Sequence, residues 1–174
     1  MSVHRFKLFT LTYTIDFPVL FLFLGVLLDI ISTSLFVALD AGTEAHIILK
    51  ELIQVSIWFI PVYLFATNAA FVPFLPGVLR KTLSYTIGLS SLLFAMNNFS
   101  LVLFRNAFLV DAIGYTPVMI TFVLFGLTLF VYLMKKEKLS QKEVVSTCLK
   151  LLQFMLFIGV VHSLFVVITW PAFF

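Results

Sequence analysis

Charge is what this sequence has least of. Only 11% of its 174 residues are Asp, Glu, Lys or Arg, where a soluble globular domain carries about a quarter. There is one cysteine, Cys148, which excludes an intrachain disulfide and any paired-cysteine redox or metal motif. No HExxH, P-loop or Gly-rich dinucleotide fingerprint occurs, and no Ser, His and Asp stand at a spacing beyond chance. Internal repeats and low-complexity segments are also missing. These absences remove the enzyme classes that announce themselves by motif, and the reading leans towards a protein that is not an enzyme.

What is present is apolar. Hydrophobic residues make up 62% of the chain and come in runs of about 20 or more, enough to cross a bilayer core of about 30 Å as helix. The fold class expected is an all-α polytopic transmembrane bundle, multi-pass in the cell membrane. Residues 1–174 form one transmembrane domain with no room for a separate soluble one. The 22 Phe residues suit lipid-facing and interhelical surfaces alike. A net charge of +3 reports topology here rather than nucleic acid. Membrane lipid is the expected partner, with further copies of the chain or a larger membrane complex left open.

Along the chain, residues 9–16 alternate apolar and polar as a strand does. No partner strand is evident, so an extended or interfacial segment is expected. Five spans follow, at about 17–39, 44–70, 78–104, 115–134 and 144–170. Pro18 and Pro117 suit the first turns of their helices. No small-residue cleavage site follows the first run, which is expected to stay as a helix. Gly42 is expected to end helix 1 with a positive φ, and Thr43 to cap helix 2. Pro61 should kink helix 2 and free a carbonyl. Residues 71–77 read as an apolar turn at the membrane interface, 135–143 as a hydrophilic loop, and Trp170 as an interface anchor. Ser84, Gly88, Ser91, Ala95 and Asn98 recur at helical spacing as a small-residue stripe, and Gly159 with Ser163 makes a second such pair.

Five spans place Arg5, Lys7, Arg80, Lys81, Lys135, Lys136, Lys138 and Lys142 on one side, with only Lys50 and Arg105 near the other. The positive-inside rule then puts the N-terminus in the cytoplasm and the C-terminus outside.

That topology concentrates the intramembrane polar residues in the outer half. Asp29 lies near the middle of helix 1, where an isolated carboxylate costs about 2.5–3.5 kcal/mol on insertion scales. Asp29, Ser32, Thr33, Phe36 and Asp40 share one helical face. Glu44, His46, Lys50 and Glu51 open helix 2; Asn97 and Asn98 lie in the outer half of helix 3, and His162 in the outer third of helix 5. The candidate ligand or ion site is therefore Asp29, Ser32, Thr33, Glu44, His46, Lys50, Asn97, Asn98 and His162, with Asp29 as the floor of an outward-opening vestibule. Packing is the plain alternative: Asp29 ion-paired to Lys50 or Arg105, and the asparagines as interhelical glue. No cofactor is implied. His46 and His162 at similar depth keep a haem or metal alternative open.

The pattern Asp29-x-x-Ser32-Thr33, followed by Gly42-x-Glu44-x-His46 at the start of the second helix, resembles a family of small uncharacterised prokaryotic multi-pass membrane proteins. In that family the first helix carries Asp with Ser or Thr one turn on, and the second opens with Gly, Glu and Asn-Pro. This chain has His46-Ile47 at the last position. The resemblance covers about 25 residues and implies a shared site at Asp29, Thr33, Glu44 and His46, without naming a chemistry. The expectation is a membrane protein that binds or passes a small polar ligand, ion or lipid headgroup. The rivals are an accessory subunit of a larger complex, whose sign would be an exposed small-residue stripe on helix 3, and an intramembrane haem or metal protein.

Overall fold

A computed structural model describes residues 4–8, 11–41, 50, 53, 56–105 and 113–169. It begins with an antiparallel hairpin of β1 (His4–Leu8) and β2 (Leu11–Ile15), in register from His4 opposite Ile15 to Leu8 opposite Leu11. The alternating stretch thus has a strand partner, contrary to the sequence reading. Its partner is the segment just before it, where His4, Arg5 and Lys7 hide the strand pattern. Two strands alone are marginal in water. Here Thr14 is buried and the Tyr13 ring meets Phe74 edge-on at 5.0 Å.

Beyond the hairpin the described chain is helical. The elements are α1 (Phe17–Ala38), α2 (Phe59–Asn68), a 3₁₀ turn at Val72–Phe74, α3 (Gly77–Phe104), α4 (Tyr115–Lys136) and α5 (Gln141–Thr169). α1, α3, α4 and α5 are long and apolar enough to cross a membrane. Asp16 caps α1, its Oδ1 accepting from the Val19 N–H at 3.2 Å, and Pro18 sits in the first turn. The other end of α1 closes through the Ala41 N–H donating to the Phe36 carbonyl at 3.0 Å and the Asp40 N–H to Val37 at 3.1 Å. This is a Schellman closure. Asp40, at φ +48°, takes the left-handed position expected of Gly42, which lies outside the described residues, as do Thr43 and Trp170.

Pro61 acts differently from expectation. It does not kink a long helix; it lies in the first turn of the ten-residue α2. Having no N–H, it leaves the Ile57 carbonyl free, and the Ile60 N–H takes it at 3.1 Å. In the turn at 71–77, Val72 and Pro73 are buried, because Val72 joins Leu22, Val26 and Ala69 in a core cluster. The hydrophilic loop is shorter than read. Lys135 and Lys136 end α4, and α5 already starts at Gln141. Ser140 and Glu143 form a capping box, with the Ser140 N–H donating to Glu143 Oε2 at 2.8 Å and the Glu143 N–H to Ser140 Oγ at 3.4 Å.

The helices alternate in direction. α1 and α3 run parallel, touching in order at Asp16 with Arg80, Phe21 with Tyr85, Gly25 with Gly88, and Thr33 with Asn98. α4 runs against α3, from Tyr115 on Phe94 to Glu137 on Lys81. α5 runs against α2, from Phe157 on Phe71 to Phe165 on Tyr63. The small-residue stripe explains the α1–α3 contact. Ser84, Gly88, Ser91 and Ala95 are buried, and a Cβ on Gly25 would run into the Gly88 backbone, while one on Gly88 would stand 2.8 Å from the Phe21 ring. Backbones meet this closely only without side chains between them. Gly159 and Ser163 pack against nothing described; a Cβ on Gly159 would meet open space.

Candidate functional site

Asp29 is the thirteenth residue of α1, about 18 Å along a helix of about 33 Å. Asp29 as a whole is 7% exposed. One turn on, the Thr33 hydroxyl donates to Asp29 Oδ1 at 3.3 Å, and the Ser32 hydroxyl donates to the Asp29 backbone carbonyl at 3.0 Å. From α3, the Asn98 carboxamide donates to Thr33 Oγ1 at 3.0 Å and lies 3.4 Å from Ser32 Oγ. A hydrogen-bond chain therefore runs from α3 through Thr33 to the carboxylate. Ser32 and Thr33 are almost wholly buried. The shared helical face read from the sequence is a real surface, facing α3 at residues 29, 32, 33 and 36. Asp40 does not belong to it, because α1 ends at Ala38 and Asp40 is exposed.

His162 belongs to a different place. Its Nδ1 lies 2.9 Å from the Tyr63 hydroxyl, joining α5 to α2. Tyr63 is buried, with Phe165 edge-on to its ring at 5.1 Å. Ile30 and Val37 of α1 pack against this cluster. Ile30 follows Asp29 directly, so their side chains leave α1 about 100° apart. The Tyr63–His162 pair joins α5 to α2, whereas the chain from Asn98 through Thr33 joins α3 to α1. The sequence did not single out Tyr63, because a tyrosine in an apolar run carries no signal until its partner is placed.

A second polar site, also not singled out, lies at the hairpin end. Asp16 Oδ2 accepts from Arg80 Nε at 3.1 Å and from Nη2 at 2.9 Å, and Arg80 Nη1 donates to the Leu75 carbonyl at 3.0 Å. Both side chains are nearly buried. One carboxylate thus caps α1 and clamps α3. The Asp16-Phe17-Pro18 order was a legible cap signature; the Arg80 partner was not. Lys81 and Glu137 pair at the same end.

Of the other candidates, Asn97 is buried but leaves α3 about 100° from Asn98. Lys50 and Arg105 are exposed. Glu44 and His46 lie outside the described residues. Among the described residues no three His, Cys, Asp or Glu side chains gather as a metal site would need. An open apolar depression of about 450 Å³ lies along Tyr115–Leu124 of α4, with no residue of the Asp29 chain in its lining. In the comparisons with known proteins, no family, curated protein or solved structure matches this chain.

Proposed function

We propose that this chain is an integral membrane protein of five crossings whose Asp29 cluster holds or passes a small polar ligand, ion or lipid headgroup. The parallel course of α1 and α3 supports five crossings. The chain between them must return the whole length of α1, and α2 covers part of that return. Arg80, Lys81, Lys135 and Lys136 lie at the hairpin end, which the positive-inside rule makes cytoplasmic. Asp29, Ser32, Thr33 and Asn98 then fall in the middle and outer half of the bundle.

One observation carries the reading: a buried Asp29 in the middle of a span-length apolar helix, its carboxylate tied by Thr33 to Asn98 on another helix. An ionisable residue at such depth is by default a candidate for a ligand, ion or proton path. The oxygens of Asp29, Ser32 and Thr33 suit a hard cation, a proton or the ammonium of a headgroup. The site is proposed to open towards the outer face, where the family resemblance would add Glu44 and His46. The accessory-subunit reading loses the sign it required, since the α3 stripe is buried against α1. For the haem alternative, His162 Nδ1 is engaged by Tyr63; the purified protein is expected to be colourless, and a Soret band lost in His162→Ala would promote that alternative.

Native mass spectrometry of protein extracted from its membrane tests the main reading. A bound small molecule or lipid is expected on the wild type and absent from Asp29→Asn. The same adducts on wild type, Asp29→Asn and Asp29→Leu would overturn it.

A further inference from the structure

The hydrogen positions in the Asp29 cluster follow from its acceptors. A carbonyl oxygen only accepts, so the Ser32 hydroxyl spends its single proton on the Asp29 backbone carbonyl at 3.0 Å. Towards Asn98 the Ser32 oxygen can then only accept, which turns the nitrogen of the Asn98 carboxamide towards α1. That nitrogen carries two hydrogens, and it lies 3.4 Å from Ser32 Oγ and 3.0 Å from Thr33 Oγ1. Thr33, accepting from Asn98, gives its own proton to Asp29 Oδ1 at 3.3 Å. Every side-chain donor of the cluster is therefore spent inside it. What it can offer a ligand is acceptor oxygen: the Asp29 carboxylate on α1, and Asn98 Oδ1 on α3, to which no group donates among the described residues.

That polarity sorts the possible occupants. An anion or a neutral acceptor would find no donor. A hard metal cation seeks about six to eight oxygens. The Ser32 and Thr33 oxygens cannot add to that number easily, since both are almost wholly buried and face the Asn98 hydrogens. A proton asks for one oxygen and makes no use of a second acceptor on another helix. A primary ammonium brings three N–H donors and one positive charge, which match two acceptors and one carboxylate. Its organic stem also enters an apolar bundle at less cost than a metal ion stripped of water.

We propose that the ligand of the Asp29 cluster is a primary ammonium, held between the Asp29 carboxylate and Asn98 Oδ1. This inference rests on the reading of Asp29 as a ligand site and names the class of ligand. Two sources carry that chemistry, the headgroup of phosphatidylethanolamine and a free alkylamine.

The test uses the purified full-length chain in maltoside detergent, with the thermal midpoint followed by tryptophan fluorescence at constant ionic strength. The probes are hexylammonium, hexyltrimethylammonium, sodium and calcium chlorides, and mixed micelles with phosphatidylethanolamine or phosphatidylcholine. A saturable rise is expected with a primary amine and not with its trimethyl counterpart or either metal ion. A rise with phosphatidylethanolamine alone assigns a lipid, and a rise with hexylammonium assigns a free amine. Asp29→Asn should abolish the response. Asn98→Leu should weaken the apparent Kd roughly tenfold, as losing one hydrogen bond to a charged group does. The order of probes on the wild type needs no variant, so it decides even where a variant fails to fold. Equal responses to primary and trimethyl amines, or no saturable response to either primary amine, would overturn the proposal. An Asp29-dependent response to sodium or calcium alone would overturn it and keep the site, which otherwise stands or falls by the adduct in native mass spectrometry.

Discussion

At the scale of single residues, the α1–α3 contact separates size from hydrogen bonding. Gly25→Ala places a methyl against the Gly88 backbone, which cannot swing aside as a side chain would. A loss of about 1–3 kcal/mol is expected, read as a lower thermal midpoint in detergent. Ser84→Ala is expected to be neutral or slightly stabilising, because the Ser84 hydroxyl is fully buried without a partner among the described residues. A large loss there would show that the stripe works by hydrogen bonding. Asp29→Leu removes the acceptor of the Thr33 hydroxyl within α1, and since hydrogen bonds between helices in membranes average about 0.6 kcal/mol, a loss of stability below about 1 kcal/mol is expected, so activity rather than stability should report on Asp29. The grouping of Asp29, Ser32, Thr33 and Asn98 was legible as helical spacing on two helices. That Asn98 and not Asn97 meets Thr33 was not legible. The two differ by about 100° around α3, and only the rotation of α3 against α1 selects between them.

At the scale of elements, the ends of helices are set by short-range chemistry. Three of them close on non-glycine residues in the left-handed region, Asp40 at φ +48°, Arg105 at φ +54° and Lys138 at φ +51°. Lys138→Gly removes a steric cost of about 1 kcal/mol and is expected to raise the unfolding midpoint. Ser140→Ala removes the cap of α5 and should lower stability by about 1 kcal/mol, with Ser140→Asp restoring it. The Asp16–Arg80 clamp joins α1, α3 and the turn before α3. Arg80→Met leaves a nearly buried carboxylate without its cation, and a loss of about 3–5 kcal/mol is expected. A double-mutant cycle with Asp16→Asn checks it; independent effects would show that the two side chains are not coupled. The four long helices were legible because apolar runs of span length leave little else for the backbone to do in lipid; the second, read as one helix over 44–70, was not, since the chain leaves the helix at 56–58 and restarts at Phe59. The hairpin partner was not, because strand pairing is a relation between segments and one of the two had no pattern of its own.

At the scale of the whole molecule, the alternation of helix directions fixes which ends share a side. Under the proposed topology, the turn after α4, with Lys138, faces the cytoplasm. Trypsin added to sealed inside-out vesicles is expected to cut there, and trypsin added to right-side-out vesicles is not. Cleavage from the outer face would remove the five-crossing arrangement, and with it the outer placement of the Asp29 cluster. Sequence alone determined the class of molecule: long apolar helices, four of them long enough to cross a membrane, a sparse set of polar residues within them, and basic residues biased by connection. These follow from composition and period, which need no knowledge of neighbours. Tertiary structure alone decided the pairings. Thr33 and Asn98, Tyr63 and His162, Asp16 and Arg80 are each more than 60 residues apart in the chain, and no local spacing encodes a contact at that separation. They are set by how closely two helices approach and at what rotation, which at α1 and α3 depends on Gly25 and Gly88 offering no side chain at the point of contact.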